Sequence, residues 1–239
     1  MRYLLLLDYD GTLAPIKKHP KLARLSPPRK TFLRQLAKHP KIKIAVISGR
    51  KLSDLKKMIG LPKIIYVGNH GFEIEINGKH KTHPAARKII PTLKRIKAIL
   101  ANKLKVKGAW VEDKDLTLTI HYRQAAKKRL KEFYQLFDQL TKPWQGKIKI
   151  TKGKKVFEIR SPFDWDKGKA VEWLIAKLKM ENYLPIYIGD DKTDEDAFIV
   201  LKGRGKTIHV GNGKTLAETR VKNISGVYGY LRGLYNDAS

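Results

Sequence analysis

The chain has 239 residues, of which 42% are hydrophobic and 31% are charged, a balance typical of a globular protein with one sizeable core. It contains no cysteine, which excludes disulfides and thiolate chemistry and fits a reducing compartment, so we expect a cytoplasmic protein. No apolar run approaches the roughly 20 residues of a membrane span, and the N-terminal run stops at Asp8 without a cleavage site. We therefore expect neither a membrane segment nor a signal peptide.

The formal net charge is +29, from 51 Lys and Arg against 22 Asp and Glu. Such a surplus is compatible with nucleic-acid binding, with attraction of a small anionic substrate, or with a lysine-rich surface of the kind found in thermophiles. The basic residues are spread along the whole chain, and no helix-turn-helix, zinc-finger or aromatic RNA-binding motif accompanies them. We expect a monomer without a specific nucleic-acid partner.

Strands alternate with helices in the first part of the chain, a pattern that indicates a parallel α/β sheet. Ser26 stands where a helix would be capped, and Gly60 stands where a helix would end. The pattern predicts strands over 3–10, 42–48 and 64–69, and helices over 26–40 and 50–60.

The middle of the chain has a different pattern, with hairpins and two longer helices. Asn77-Gly78 predicts a hairpin over 72–81, and Pro91 predicts a kink or break in the next helix. Trp110 and Tyr122 alternate within predicted strands and are expected in the core. Further elements are predicted as two strands over 107–123 with a turn at Lys114-Asp115, a helix over 125–142, and a hairpin around Gly153.

The alternating pattern then resumes, with helices over 166–179 and 193–203 and strands over 184–191 and 206–212. We therefore predict an α/β protein with a Rossmann-like parallel-sheet core, interrupted by an inserted α+β domain. The expected core comprises 1–80 and 160–239, and the expected insert 81–159.

Polar side chains follow four of the predicted strands. The carboxyl ends of parallel strands meet at one edge of a sheet, so these side chains are expected to converge. Two carboxylates spaced i and i+2 on an extended chain face the same way and repel unless a cation or a proton neutralises them. An oxygen-only cluster suits Mg²⁺. The strand-end residues are Asp8 and Asp10, Ser48, Asn69 and His70, and Asp190 and Asp191.

Four short motifs give this pattern a family resemblance. "DYDGTL" (8–13), "SGR" (48–50), "DKGKA" (166–170) and "GDDKTDEDAF" (189–198) resemble the motifs of the haloacid dehalogenase superfamily of phosphohydrolases. With "EDKDLTLTIHYR" (112–123) and "GKKVFEIR" (153–160), the chain resembles the trehalose-6-phosphate phosphatases. The resemblance implies a hydrolase core with a cap domain that closes over it.

The resemblance also implies roles for the strand-end residues. Asp8 would be the nucleophile that forms an aspartyl-phosphate, and Asp10 the general acid and base. Ser48 and Lys167 would contact the phosphoryl oxygens. Alternatively, Ser48 only caps the helix that follows it, and Lys167 is only a solvated residue of its helix. Mg²⁺ would be held by Asp8, by Asp190 and by the backbone carbonyl of Asp10. Asp191 and Asp194 would bind the metal directly or lie next to its ligands. Alternatively, Asp194 only caps the helix that follows it.

Polar residues of the cap motifs and of the core would bind the sugar phosphate. The resemblance assigns Glu112, Lys114, Arg123, Lys154 and Glu158 in the cap, and Arg50, Asn69, His70 and Gly71 in the core. We expect a Mg²⁺-dependent phosphatase that hydrolyses trehalose 6-phosphate. The alternatives are a phosphatase for sucrose phosphate or for mannosyl- or glucosyl-phosphoglycerate, and a basic nucleic-acid-binding protein on the same scaffold.

Overall fold

The computed structural model describes residues 1–17 and 19–239. The chain divides into two compact units, one formed by Met1–Lys81 with Trp165–Ser239 and the other by Thr82–Asp164. We refer to them as the core unit and the inserted unit. The predicted fold class is confirmed, because the core unit is built on a largely parallel sheet with helices on both faces.

An eight-stranded sheet forms the centre of the core unit. The strands are β1 (Tyr3–Asp8), β2 (Ile42–Ile47), β3 (Ile65–Gly68), β4 (Glu73–Ile76), β5 (Lys79–Thr82), β10 (Leu184–Gly189), β11 (Lys206–Val210) and β12 (Thr219–Val221). Their spatial order is β12-β11-β10-β1-β2-β3-β4-β5, and the six strands from β12 to β3 run parallel to one another.

The leucine run of β1 is explained by burial on both faces of this sheet. Leu5 and Leu7 belong to one hydrophobic cluster, while Leu4 and Leu6 belong to the other. Because successive side chains of a strand point to opposite faces, a central parallel strand must be apolar throughout. The helices of this unit are α1 (Pro27–Lys38), α2 (Leu52–Ile59), α6 (Lys167–Leu178), α7 (Glu195–Leu201) and α8 (Ile224–Ala238).

The inserted unit contains a four-stranded antiparallel sheet and three α-helices. The strands are β6 (Trp110–Asp113), β7 (Leu118–His121), β8 (Lys149–Gly153) and β9 (Val156–Arg160), and the helices are α3 (Pro84–Lys88), α4 (Ile90–Lys103) and α5 (Leu130–Thr141). The strands lie in the order β6-β7-β9-β8. Apolar residues on one face of this sheet pack with the helices of the unit into a separate hydrophobic cluster.

Several turns fall where the sequence predicted them. Asn77 and Gly78 both have positive φ, at 50° and 77°, as a tight hairpin turn requires. Gly60 ends α2 in the left-handed conformation. The predicted break near Pro91 is confirmed at Ile89, between α3 and α4.

Other details differ from the sequence prediction. The hairpin placed around Gly153 turns one residue later, with Lys155 at φ 66°. The prediction for Trp110 was wrong, because its ring stacks on His121 rather than joining the apolar cluster, whereas Tyr122 is buried as expected. The strand β12 and the helix α8 were not predicted. Within the described residues, no helix has both the length and the apolar character needed to cross a membrane.

Candidate active site

Three carboxylates of the core unit converge at the carboxyl end of its sheet. Asp8 is the last residue of β1, Asp190 directly follows β10, and Asp194 ends the short 3₁₀ turn before α7. Because β1 and β10 pair in parallel, their ends lie side by side. One carboxylate oxygen from each residue lies within 4.8 Å of the other two. The convergence expected from the strand ends is therefore present, although this group does not include Asp10 or Asp191.

Lys167 joins two of these carboxylates. Its Nζ lies 2.7 Å from Asp8 Oδ1 and 2.7 Å from Asp194 Oδ1. Asp166 holds the start of α6 in place by accepting a hydrogen bond from the backbone N–H of Lys169 at 2.9 Å. With only 2% of its surface exposed, Lys167 is not the solvated helix residue of the alternative interpretation.

The neighbouring charges of this group shift the pKa values of Asp8 and Lys167. Burial raises the pKa of Asp8 well above its usual value; Lys167 opposes this effect, and Asp194 and Asp190 add to it. Burial lowers the pKa of Lys167, but Asp194 and Asp8 more than compensate and leave it well above its usual value. With all four groups ionised, three negative charges face one positive charge, which leaves a net charge of −2 for a divalent cation to neutralise.

Gly11 leaves space that the acidic group needs. Its φ is +85°, and a Cβ atom there would lie 2.3 Å from Asp190 Oδ2. Only glycine is compatible with both the conformation and the close approach of this carboxylate. The oxygen-only donors, their net charge and this close packing fit a hard divalent cation such as Mg²⁺.

Asp194 connects the acidic group to the protein interior. Its Oδ1 accepts a hydrogen bond from the Tyr187 hydroxyl at 2.7 Å, and its Oδ2 accepts one from the backbone N–H of Asp191 at 2.9 Å. Its side chain therefore holds Lys167 and the turn after β10, a larger role than capping α7. Sequence reasoning missed Tyr187, for which the available signal was a single hydroxyl within the apolar strand "LPIYIG".

Asp10 is held by Arg50 in a two-pronged ion pair. Arg50 Nε donates to Asp10 Oδ2 at 2.7 Å, and Arg50 Nη2 donates to Asp10 Oδ1 at 2.6 Å. Arg50 Nη2 also donates to the carbonyl of Pro20 at 2.9 Å, and the guanidinium lies 5.3 Å from the ring centre of Tyr9. These contacts fix the guanidinium plane and orient both oxygens of Asp10. Arg50, which was predicted to bind substrate, thus lies beside Asp10, the predicted general acid and base.

Ser48 lies in the loop after β2 and is buried, with its hydroxyl accepting a hydrogen bond from the backbone N–H of Arg50 at 3.2 Å. The alternative that Ser48 caps the following helix is wrong, because Lys51 occupies the N-cap position of α2. Ser48 also accepts, through its carbonyl, the backbone N–H of His70 at 3.0 Å. The loops after β2 and β3 are therefore tied together.

The loop after β3 has an unusual backbone. Asn69, His70 and Gly71 have φ values of 48°, 55° and 100°, three consecutive residues in the left-handed region. The buried Asn69 side chain donates to Glu73 Oε2 at 2.6 Å, and the ring of His70 lies so close to Gly49 that a Cβ there would be 2.5 Å from His70 Nε2. Strained backbone of this kind persists where the surrounding structure holds it, often at a functional site.

Of the five residues predicted in the inserted unit, four form two pairs with one another, and Glu112 pairs with His121. Glu112 Oε2 lies 2.7 Å from His121 Nε2, and Lys114 Nζ lies 3.5 Å from Glu158 Oε1. Arg123 donates to the backbone carbonyl of Lys154 at 2.8 Å. Glu112 and Glu158 lie in one row across the sheet, because both are paired in register with Thr119 of β7.

Comparisons with known proteins agree with the motifs. The family model described as trehalose-phosphatase matches residues 6–224. A trehalose-phosphate phosphatase of Mycobacterium tuberculosis is 40% identical over 208 residues, which cover 85% of this chain and 52% of that protein. The probable trehalose-phosphate phosphatase 4 of Oryza sativa is 35% identical over 216 residues, which cover 87% of this chain and 58% of that protein. This chain thus spans just over half the length of these relatives.

Solved structures share the fold over nearly the whole chain. The C-terminal domain of the trehalose-6-phosphate phosphatase of C. albicans superposes with a TM-score of 0.85 at 26% identity, covering 98% of this chain and 92% of that chain. A trehalose-6-phosphate phosphatase related protein gives a TM-score of 0.84 at 23% identity, with 97% and 96% coverage, and supports the fold alone.

Proposed function

This chain belongs to the trehalose-phosphatase family, and from that premise we propose that it is a Mg²⁺-dependent phosphatase that hydrolyses trehalose 6-phosphate to trehalose and phosphate. The observation that carries the proposal is the acidic group of Asp8, Asp190 and Asp194, with Lys167 bonded to Asp8 and Asp194. This arrangement combines a carboxylate nucleophile, a cation for phosphoryl oxygens and ligands for a divalent metal.

In the first step, a carboxylate oxygen of Asp8 attacks the phosphorus atom. A bond forms between that oxygen and phosphorus, and the bond between phosphorus and the sugar oxygen breaks. Asp10 donates a proton to the leaving sugar oxygen, so that trehalose departs as an alcohol. Arg50 contributes by orienting the Asp10 carboxylate through its two hydrogen bonds.

In the second step, Asp10 accepts a proton from a water molecule that attacks the phosphorus of the aspartyl-phosphate. The bond between Asp8 and phosphorus then breaks, which releases phosphate and regenerates the carboxylate. Lys167 neutralises charge that spreads over the phosphoryl oxygens in both steps, and Ser48 donates a hydrogen bond to one of these oxygens.

A Mg²⁺ ion bound by Asp8, Asp190 and the Asp10 carbonyl, with Asp191 and Asp194 supporting it, would neutralise phosphate charge and favour nucleophilic attack. We assign recognition of the sugar to Glu112, Lys114, Arg123, Lys154 and Glu158 of the inserted unit, and to Arg50, Asn69, His70 and Gly71 of the core unit. Glutamates accept hydrogen bonds from sugar hydroxyls, whereas lysine and arginine donate to sugar or phosphate oxygens.

The test is a phosphate-release assay with Mg²⁺ on a panel of sugar phosphates. The panel comprises trehalose 6-phosphate, sucrose 6-phosphate, glucosyl- and mannosyl-phosphoglycerate, and glucose 6-phosphate. We expect the highest kcat/KM for trehalose 6-phosphate, and we expect Asp8→Asn to abolish turnover while leaving the circular dichroism spectrum unchanged. A preference for another member of the panel would contradict the substrate assignment, and an active Asp8→Asn variant would contradict the nucleophile.

A further inference from the structure

The sheet of the inserted unit has one apolar and one polar face. Leu118 and Ile120 of β7 are fully buried in the hydrophobic cluster that α4 and α5 complete. Because side chains alternate along a strand, Thr119 between them lies on the opposite face. The register places Glu112 of β6 on one side of Thr119 and Glu158 of β9 on the other.

Thr119 is the central residue of this polar row, and its hydroxyl is unsatisfied. The residue is only 4% exposed, yet its Oγ1 has no hydrogen-bond partner among the residues that the structure describes. Buried hydroxyl groups in folded proteins are generally hydrogen-bonded, so an exception in a polar row indicates a group that bonds to something else.

The neighbours of Thr119 are fixed in position. Glu112 pairs with His121 at 2.7 Å, and the ring of His121 stacks on Trp110 with ring centres 4.0 Å apart and planes inclined by 8°. On the other side, Thr117 Oγ1 lies 3.4 Å from Glu158 Oε1. The backbones of β6 and β9 are two strand spacings apart, roughly 10 Å.

The chemistry of the row suits a sugar. Ionised Glu112 and Glu158 can only accept hydrogen bonds, so they select the hydroxyl donors of a carbohydrate. Sugars also carry ring and glycosidic oxygens, which only accept. The Thr119 hydroxyl can donate to such an oxygen or accept from a hydroxyl, which the flanking carboxylates alone cannot do.

We propose that Thr119 is a specificity-determining residue whose hydroxyl hydrogen-bonds an oxygen of the disaccharide between Glu112 and Glu158. This inference rests on the proposed function, because it assumes that the inserted unit recognises the sugar. The charged residues assigned to sugar recognition in the inserted unit can either only donate hydrogen bonds or only accept them. The Thr119 hydroxyl is neutral and can do both. It also predicts that the hydroxyl contributes to binding of the sugar and not to the reaction at phosphorus.

The test compares Thr119→Val, which keeps the shape of the side chain, with Thr119→Ser, which keeps the hydroxyl. The substrates are trehalose 6-phosphate and p-nitrophenyl phosphate, which carries no sugar. For Thr119→Val we expect KM for trehalose 6-phosphate to rise about 3- to 10-fold, the loss of one hydrogen bond, with kcat within about twofold. Thr119→Ser should stay within about twofold of wild type, and neither variant should change kcat/KM for p-nitrophenyl phosphate.

Thr141→Val is the matched control, because it removes another buried threonine hydroxyl of the same unit, one that donates to the Phe137 carbonyl at 2.8 Å. It should leave both substrates unaffected. The inference would be overturned if Thr119→Val had the same KM for trehalose 6-phosphate as wild type. It would also be overturned if the variant lost kcat/KM equally on trehalose 6-phosphate and p-nitrophenyl phosphate. If Thr119→Val does not fold, Thr119→Ala is measured against the same criteria. Failure of wild type to hydrolyse any sugar phosphate would instead contradict the proposed function.

Discussion

Replacing Lys167 with methionine removes a cation that is bonded to two carboxylates of the acidic group, Asp8 and Asp194. Methionine retains most of the volume and the flexible stem of lysine, so the change is mainly one of charge. Two carboxylates would each lose a hydrogen bond of 2.7 Å, and both are buried, with Asp8 5% exposed and Asp194 fully buried.

Breaking a buried ion pair by removing one partner costs about 3–5 kcal/mol, because the remaining charge is left uncompensated. We expect a loss near the lower end of this range. Burial and the neighbouring carboxylates already favour the protonated form of Asp8, so this residue can take up a proton once Lys167 is gone. For a chain of this size, about 3 kcal/mol corresponds to a fall in Tm of about 6–12 °C.

The assay is thermal unfolding followed by circular dichroism in metal-free buffer. Lys177→Met is the matched control, because Lys177 lies on the same helix and is exposed; it should change stability by less than about 0.5 kcal/mol. Added Mg²⁺ should stabilise Lys167→Met, because a metal ion that binds the acidic group of the folded chain shifts the equilibrium away from the unfolded chain. A Tm within 2 °C of wild type in metal-free buffer would refute the claim that Lys167 neutralises this group.

Three further predictions concern separate contacts. In chemical denaturation, Gly11→Ala should lower the free energy of unfolding more than Gly78→Ala does, by at least about 1 kcal/mol. Both glycines have positive φ, but only at Gly11 would a Cβ meet Asp190. Equal losses of unfolding free energy in the two variants would contradict the steric account. Arg50→Lys should lower kcat/KM about 10- to 100-fold in the phosphate-release assay, because lysine cannot orient both oxygens of Asp10. Arg24 is exposed, and Arg24→Lys serves as the control that should leave kcat/KM unchanged. Burial and the neighbouring Tyr134 raise the pKa of Tyr122 from 10.0 to about 12, so between these pH values the unfolded chain loses a proton that the folded chain retains. The free energy of unfolding therefore falls as pH rises through this window, by at most about 3 kcal/mol. In Tyr122→Phe it should fall less with pH than in wild type, and an unchanged pH profile would argue against the shift.

Local signals explain why most of the fold could be predicted from the sequence. Asn77-Gly78 specifies a turn through backbone conformation alone, and the leucines of β1 indicate burial on both faces. The rule that parallel strands end at one sheet edge was sufficient to bring Asp8 and Asp190 together. These inferences need only a few neighbouring residues or the order of elements along the chain.

The remaining features depend on contacts that no local pattern encodes. Arg50 meets Asp10 across 40 positions of sequence, and a single arginine among many basic residues gives no sign of its partner. Tyr187 occupies an apolar strand and therefore resembles an ordinary core residue. Trp110 alternates as a core residue would, but it lies on the polar side of its sheet, where it stacks on His121. In each case the decisive information is which distant side chain occupies the adjacent space.

Calorimetric titration with Mg²⁺ tests the central claim most directly, namely that Asp8, Asp190 and Asp194 form a binding site for one divalent ion. We predict one ion bound per chain for wild type, binding abolished or strongly weakened in Asp190→Asn, and normal binding in Asp138→Asn, which alters an exposed acid of the inserted unit. No binding to wild type, or equal binding to wild type and Asp190→Asn, would contradict the account.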